Sequence, residues 1–172
     1  RSSVFGWHST FSDLHHLFGK QLEDYRWLAS VRHPVSRLFS VFSYQVAKAR
    51  LEADEPGRAF AHFCERVFSG DPALTMQQRV HTMPQVEWLP PADGQQSISM
   101  IRQENLSADL SALGQIIPSI FGSRIAKTNH SFSGDFKRFV RPDLARRIED
   151  FYSDDMIRLG YATSVGEKCW VA

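Results

Sequence analysis

The stretch ASVRHPVSRLFSVFSYQ, residues 29–45, predicts a strand that runs directly into a helix. The short apolar run over residues 25–31 is typical of a buried strand. Pro34 suits a first helical turn, where its missing N–H group would have had no partner. The apolar side chains that follow are spaced for one face of a helix; they are Val35, Leu38, Phe39, Phe42 and Val46. This helix is expected to end near Leu51.

The junction between this strand and this helix has the chemistry of an anion site. The first N–H groups of a helix have no partner within it, and the helix dipole favours negative charge there. Arg32 lies at the junction, and its planar guanidinium matches two phosphate oxygens at once. Ser40 lies about two turns into the helix, from where its hydroxyl can face the same ligand. Arg37 lies off this line and is expected to pair with a carboxylate.

A second interpretation of the same residues stays open. Arg32 would then pair with an acid at the sheet edge, and Ser40 would only occupy a helical position. The spacing is less specific than a Walker motif, whose glycines and lysine wrap a phosphate directly.

Length and charge exclude several classes of protein. The chain has 172 residues, enough for one domain with a hydrophobic core. Its net charge of +1 is low for a nucleic-acid binder, and no apolar run approaches the length of a membrane span. The start at Arg1 lacks an initiator methionine and a signal-peptide pattern, so we expect that upstream residues are missing.

The two cysteines, Cys64 and Cys169, are far apart and have no neighbours with zinc-site spacing. A zinc site is therefore not expected. One disulfide between them stays open as an alternative, and free thiols in a reducing compartment are the simpler interpretation.

The rest of the chain predicts helices around a second strand. Residues 9–19 predict a short helix capped by Ser9 or Thr10 and ended by Gly19. Further helices are expected over residues 58–68, 72–80, 104–117, 142–152 and 153–160. The second strand is SISMI, residues 97–101, and residues 81–96 predict a surface loop. Strands separated by helices indicate an α/β fold with a small parallel sheet.

VRHPVSRLFSVFSY resembles the 3′-phosphate-binding segment of sulfotransferases that use 3′-phosphoadenosine 5′-phosphosulfate, and the carbohydrate branch in particular. Other stretches resemble the same branch in the same order: HSTFSDLHHLFG, HTMPQ, IRQENLSADLSAL, and KTNHSFSGDF with IEDFYSDDMIRLGY. The resemblance covers nearly the whole chain. It implies a three-layer α/β fold like that of the P-loop kinases, with residues 1–172 forming a single sulfotransferase-like domain.

The resemblance also implies roles for the nucleotide-binding residues. Arg32 and Ser40 would bind the 3′-phosphate of the nucleotide. Lys127 and Ser131, in a polar loop before the last helices, would contact a phosphate or the adenine.

Three residues are implied on the acceptor side. His8 would be the base that deprotonates the acceptor hydroxyl, since neutral imidazole suits that task near pH 7. The alternative for His8 is to cap or pack against the helix that follows it. His81 and Gln85 would contact the acceptor or the nucleotide, or would be loop residues without a ligand.

The chain departs from the family pattern in two places. His33 stands where the family usually has aspartate or asparagine, which changes local capping. The family's 5′-phosphosulfate loop, Pro-Lys-x-Gly-Ser/Thr-Thr after the first strand, has no counterpart in this sequence. We therefore expect that the first strand-loop-helix is missing from the chain or has been lost.

The resemblance implies a sulfotransferase that moves a sulfuryl group to a hydroxyl of a sugar or glycan without a metal. The missing loop favours a second hypothesis, a non-catalytic nucleotide- or glycan-binding module on the same fold. A kinase relative is the third, without a Walker lysine to support it. No nucleic-acid partner is expected. A bacterial-type cytoplasmic setting fits better than the Golgi lumen, because the anchor and paired cysteines of Golgi members do not occur here.

Overall fold

The computed structural model describes residues 9–49, 56–92, 97–116 and 140–161, with the backbone alone at residues 46–49 and 116. The fold is α/β and mostly helical. The helices are α1 Phe11–Phe18, α2 Pro34–Ala49, α3 Pro56–Phe68, α4 Met76–Thr82, α5 Leu106–Ile116, α6 Pro142–Phe151 and α7 Ser153–Arg158. The strands are β1 Trp27–Val31 and β2 Ile98–Arg102, and 3₁₀ helices cover Gly19–Asp24, Gln85–Trp88 and Gln103–Asn105.

The two strands form a small parallel sheet, as the sequence predicts. Trp27 lies opposite Ile98, and Val31 lies opposite Arg102. The chain between them passes through α2, α3 and α4, since a parallel pair needs a long crossover. Only Val31 of β1 is buried among the described residues, and Leu28 is 46% exposed, so the prediction of a buried strand is wrong. β1 pairs with β2 alone in the described ranges, which leaves its other edge uncovered there.

Helix α1 begins and ends where local sequence signals predict. Thr10 caps it in a reciprocal pair, because the Thr10 N–H donates to Asp13 Oδ2 at 2.8 Å and the Asp13 N–H donates to Thr10 Oγ1 at 3.2 Å. Gly19 follows the last residue with φ of 54°, a backbone region in which glycine costs little.

The main core lies between α2, α3 and α6. The helical spacing of α2 is confirmed, since Val35, Leu38, Phe39 and Phe42 are all buried; the side chain of Val46 lies outside the described part. Phe60 of α3 is fully buried against Phe39 and Phe42, with ring centroids 5.0 and 5.5 Å away. Aromatic pairs of this kind add to the free energy that burial supplies.

Cys64, in the same core, is a free and buried thiol. Burial raises the pKa of Cys64 to about 12, so the thiol stays protonated at neutral pH. Cys169 lies outside the described residues.

The segment predicted as a surface loop, residues 81–96, contains helical turns and buried residues in its described part, residues 81–92, so that prediction is wrong there. Helix α4 continues through Thr82, a 3₁₀ helix covers Gln85–Trp88, and Leu89 is 7% exposed. Tyr152, between α6 and α7, binds this segment's backbone: its hydroxyl donates to the Thr82 carbonyl at 2.6 Å. Backbone polar groups that bind protein partners do not need solvent, so the segment can be buried.

The other predicted helices are observed with shifted ends. The helix expected over residues 72–80 is Met76–Thr82, because Thr75 and Gln78 form a capping box that begins it later. The last two helices, α6 and α7, are where the sequence predicts them, and Gly160 follows with φ of 68°. None of the helices in the described ranges is both long and apolar enough to cross a membrane.

Candidate functional site: a cationic cleft

A cleft of about 540 Å³ opens at the carboxyl ends of the two strands, between α2 and α4. Its walls carry two arginines and one histidine, Arg32, Arg37 and His81, together with neutral polar side chains such as Ser40 and Gln85. No aspartate or glutamate is among the described residues that line it. The cleft therefore favours an anionic ligand.

Helices α2 and α4 each present one face to this cleft. Arg37, Ser40 and Tyr44 recur at the spacing of successive turns of α2, and Gln77 and His81 are one turn apart on α4. The cleft thus brings together Arg32, Ser40, His81 and Gln85, which lie far apart in the sequence.

The guanidinium of Arg32 is held at one nitrogen and open at the other two. Its Nε donates to Ser36 Oγ at 3.0 Å, while Nη1 and Nη2 have no hydrogen-bond partner among the residues that the structure describes. Burial lowers the pKa of Arg32, and the nearby Glu104 carboxylate opposes part of this shift. The Arg32 guanidinium is a partly desolvated cation with two unused NH₂ groups. An anion that accepts hydrogen bonds from both groups would stabilise it.

Ser40 differs from the two other serines of α2. The Ser36 hydroxyl donates to the His33 carbonyl at 3.2 Å, and the Ser43 hydroxyl donates to the Phe39 carbonyl at 2.8 Å. In the described ranges the Ser40 hydroxyl has no such partner, and it lines the cleft. Its donor is therefore available to a ligand on the same side as Arg32.

Three N–H groups at the start of α2, those of Arg32, His33 and Val35, are already used, contrary to the expectation that the first N–H groups receive the anion. The Arg32 N–H donates to Gln85 Oε1 at 2.9 Å, and the His33 N–H donates to Glu104 Oε1 at 2.7 Å. The Val35 N–H donates to His33 Nδ1 at 3.3 Å, so His33 does change the local capping. An anion in the cleft would be held by side chains.

Among the described residues, Arg37 binds a backbone carbonyl and pairs with no carboxylate, so the predicted carboxylate partner is not found there. Its Nη1 donates to the Met83 carbonyl at 2.7 Å, which ties α2 to the end of α4. Burial lowers the pKa of Arg37, and Tyr152 and then Asp155 oppose the shift. Arg37 lines the cleft and adds a second positive charge to it.

The two residues predicted to contact an acceptor have different surroundings. His81 lines the cleft from α4. Gln85 borders the cleft but is 8% exposed, and its amide binds the backbone of Arg32. Contact of either residue with an acceptor stays a prediction.

The remaining predicted site residues lie outside the described residues; they are His8, Lys127 and Ser131. Within the described ranges, no group of three or more His, Cys, Asp or Glu side chains is arranged to hold a metal ion.

Sequence reasoning missed two carboxylates that build the site. Glu104, directly after β2, accepts from the His33 N–H and, at 3.3 Å, from the Tyr161 hydroxyl. Asp155 accepts from the N–H groups of Gln85 and Val86, each at 2.9 Å. The only local signal for Asp155 is its place in the Tyr-x-x-Asp pattern near the end of α6.

His33 should make the protein less stable in mild acid. It is fully buried, its Nδ1 accepts from Val35, and its Nε2 lies 3.8 Å from Glu149 Oε1. Burial lowers the pKa of His33, although Glu149 and Glu104 oppose this. The unfolded chain therefore binds more protons, and the free energy of unfolding falls as pH decreases below about 6.5.

Denaturant unfolding between about pH 7 and pH 5 checks this expectation. The parent should lose more stability than His33→Asn, which keeps a capping acceptor but does not titrate. His62→Asn is the control, because His62 is exposed. Equal pH dependence in the parent and in His33→Asn would contradict the prediction.

The fold and the site define an α/β protein with a cationic cleft at the carboxyl ends of two parallel strands. Comparison with protein-family models, with curated proteins and with solved structures finds no match for this chain. The cleft is therefore the feature from which a function can be inferred.

Proposed function

We propose that the cleft binds 3′-phosphoadenosine 5′-phosphosulfate, with its 3′-phosphate on Arg32 and Ser40, and that the protein is a carbohydrate sulfotransferase. The observation that carries the proposal is the convergence of these two side chains on one acid-free cleft, each with unused donors in the described ranges. The three-layer P-loop-like sulfotransferase fold and the bacterial-type cytoplasmic setting belong to the same proposal.

The proposed reaction is an in-line displacement at sulfur. The acceptor oxygen forms a bond to sulfur while the bond between sulfur and the bridging oxygen breaks. Adenosine 3′,5′-bisphosphate leaves with the electron pair, and the hydroxyl proton passes to the base, for which His8 is proposed. Phosphate and sulfate groups need positive charge around them, which Arg32 and Arg37 supply in the cleft.

Calorimetric titration of two matched nucleotides tests the proposal. Adenosine 3′,5′-bisphosphate should bind with a Kd of about 1 μM, and adenosine 5′-monophosphate should bind far more weakly because it lacks the 3′-phosphate. No binding by the folded chain, or equal affinity for the two nucleotides, would overturn it. Tight binding without transfer to any sugar would favour the non-catalytic module instead.

Ser40→Ala should weaken binding of the bisphosphate by roughly tenfold, the value of one hydrogen bond to a charged group. Ser43→Ala is the matched control on the same helix, since Ser43 is buried and donates to the Phe39 carbonyl. Titration of both variants checks the expectation. A larger loss in Ser43→Ala than in Ser40→Ala would contradict the placement of the phosphate.

A further inference from the structure

We infer that Gln85 is a positioning residue, which holds Arg32 in place for the anion and acts on the ligand through Arg32. The inference rests on the proposed function only for the identity of the ligand. It gives Gln85 a different role from the acceptor contact that its place in the sequence predicts.

The side-chain amide of Gln85 pairs with both backbone groups of Arg32. Gln85 Oε1 accepts from the Arg32 N–H at 2.9 Å, and Gln85 Nε2 donates to the Arg32 carbonyl at 2.8 Å. Within a sheet, a neighbouring strand would supply the same two hydrogen bonds, one to the N–H and one to the carbonyl of a residue. Because β1 ends at Val31, Arg32 lies just beyond the sheet, and Gln85 supplies the support that the sheet does not.

Asp155 determines which way the Gln85 amide faces. Asp155 Oδ2 accepts from the Gln85 N–H at 2.9 Å and from Gln85 Nε2 at 3.2 Å. A carboxylate can only accept, so the NH₂ group turns towards Asp155 and Oε1 is left for the Arg32 N–H. Asp155 is fully buried and Gln85 is 8% exposed, which leaves little access for water to replace these bonds.

The same arrangement orients the guanidinium of Arg32. Its backbone is held by Gln85 and its Nε by Ser36, whose hydroxyl is itself 3.3 Å from Glu104 Oε1. Nη1 and Nη2 are the donors left for the cleft in the described part of the chain. A side chain ordered before binding loses less conformational entropy when the ligand arrives.

Hydrogen exchange of backbone amides tests the inference without any ligand. In Gln85→Met the Arg32 N–H should exchange at least about tenfold faster, because its acceptor is gone. The Arg37 N–H, which donates to the His33 carbonyl at 2.9 Å, is the internal reference and should keep its rate. Gln77→Met, on the exposed side of the same cleft, should change neither rate.

Two results would overturn the inference. One is an unchanged Arg32 exchange rate in Gln85→Met, and the other is an equal acceleration at Arg32 and Arg37, which would indicate general destabilisation. If Gln85→Met does not fold, Asp155→Asn carries the same test, because asparagine has one acceptor oxygen where the carboxylate uses two, which weakens the hold on the Gln85 amide. The Arg32 N–H should again exchange faster than the Arg37 N–H.

Titration then tests whether the effect of Gln85 on the ligand is located at the 3′-phosphate. Gln85→Met should lower the affinity for adenosine 3′,5′-bisphosphate by about tenfold and leave the affinity for adenosine 5′-monophosphate unchanged. Equal losses for the two nucleotides would show that Gln85 does not act through the 3′-phosphate contact of Arg32 and would overturn the inference. If the parent binds neither nucleotide, the proposed function fails, and the exchange rates alone decide the role of Gln85.

Discussion

Arg32→Ala is expected to lower the affinity for adenosine 3′,5′-bisphosphate by about 100-fold or more. The guanidinium would make two charge-assisted bonds to the 3′-phosphate through Nη1 and Nη2, each contributing roughly 1.5–3 kcal/mol. Both donors lack partners in the described ranges, so the free protein loses no internal bond at these atoms when the ligand binds. Calorimetric titration measures the loss, and thermal unfolding confirms that the variant is folded.

Two further arginine variants test whether the loss of affinity is specific to Arg32. Arg26→Ala removes the same charge from an exposed residue just before β1 and should leave affinity nearly unchanged. Arg32→Lys keeps the charge but not the planar fork, so its affinity should fall between the parent and Arg32→Ala. A comparable loss in Arg26→Ala would indicate that the ligand responds to the overall charge and not to a site at Arg32.

Asp155→Ala should lower the free energy of unfolding by about 3 kcal/mol or more. Asp155 is fully buried and accepts from the N–H groups of Gln85 and Val86 and from Gln85 Nε2. The substitution leaves the N–H groups of Gln85 and Val86 without this acceptor and removes one of the two acceptors of Gln85 Nε2, and each lost bond carries a desolvation cost. Denaturant unfolding at neutral pH measures the difference.

The adjacent residue provides the control. Asp154 is exposed, so Asp154→Ala should change the free energy of unfolding by less than about 0.5 kcal/mol. Asp155→Asn retains one acceptor oxygen and should be intermediate. Equal stability of the alanine variants at positions 154 and 155 would show that the Asp155 bonds to Gln85 and Val86 do not stabilise the fold.

Elements with short-range signals were predictable. Thr10, Asp13 and Gly19 mark the ends of α1 through contacts within a few residues. Pro34 and the apolar spacing after it identify α2. These signals work because helix caps and helical periodicity involve residues that are neighbours in the chain.

The segment over residues 81–96 was not predictable in this way. Its prolines and polar residues are typical of a surface loop. It is partly buried because Tyr152 and Asp155, 70 residues from the groups that they bind, satisfy its backbone. Nothing local to the segment signals these partners.

The anion site likewise has a part that local sequence predicts and a part that distant contacts determine. Arg32 and Ser40 are close enough on one strand-helix unit for their spacing to indicate a shared ligand, and they do line one cleft. Which donors stay available depends on distant residues: Gln85 takes the Arg32 N–H across 53 positions, and Glu104 takes the His33 N–H across 71. The residue types and their local period therefore specify α1, α2, the parallel strands and the two anion-binding candidates. The use of each donor is determined by contacts between elements, because a hydrogen bond depends on distance in space and not on separation along the chain.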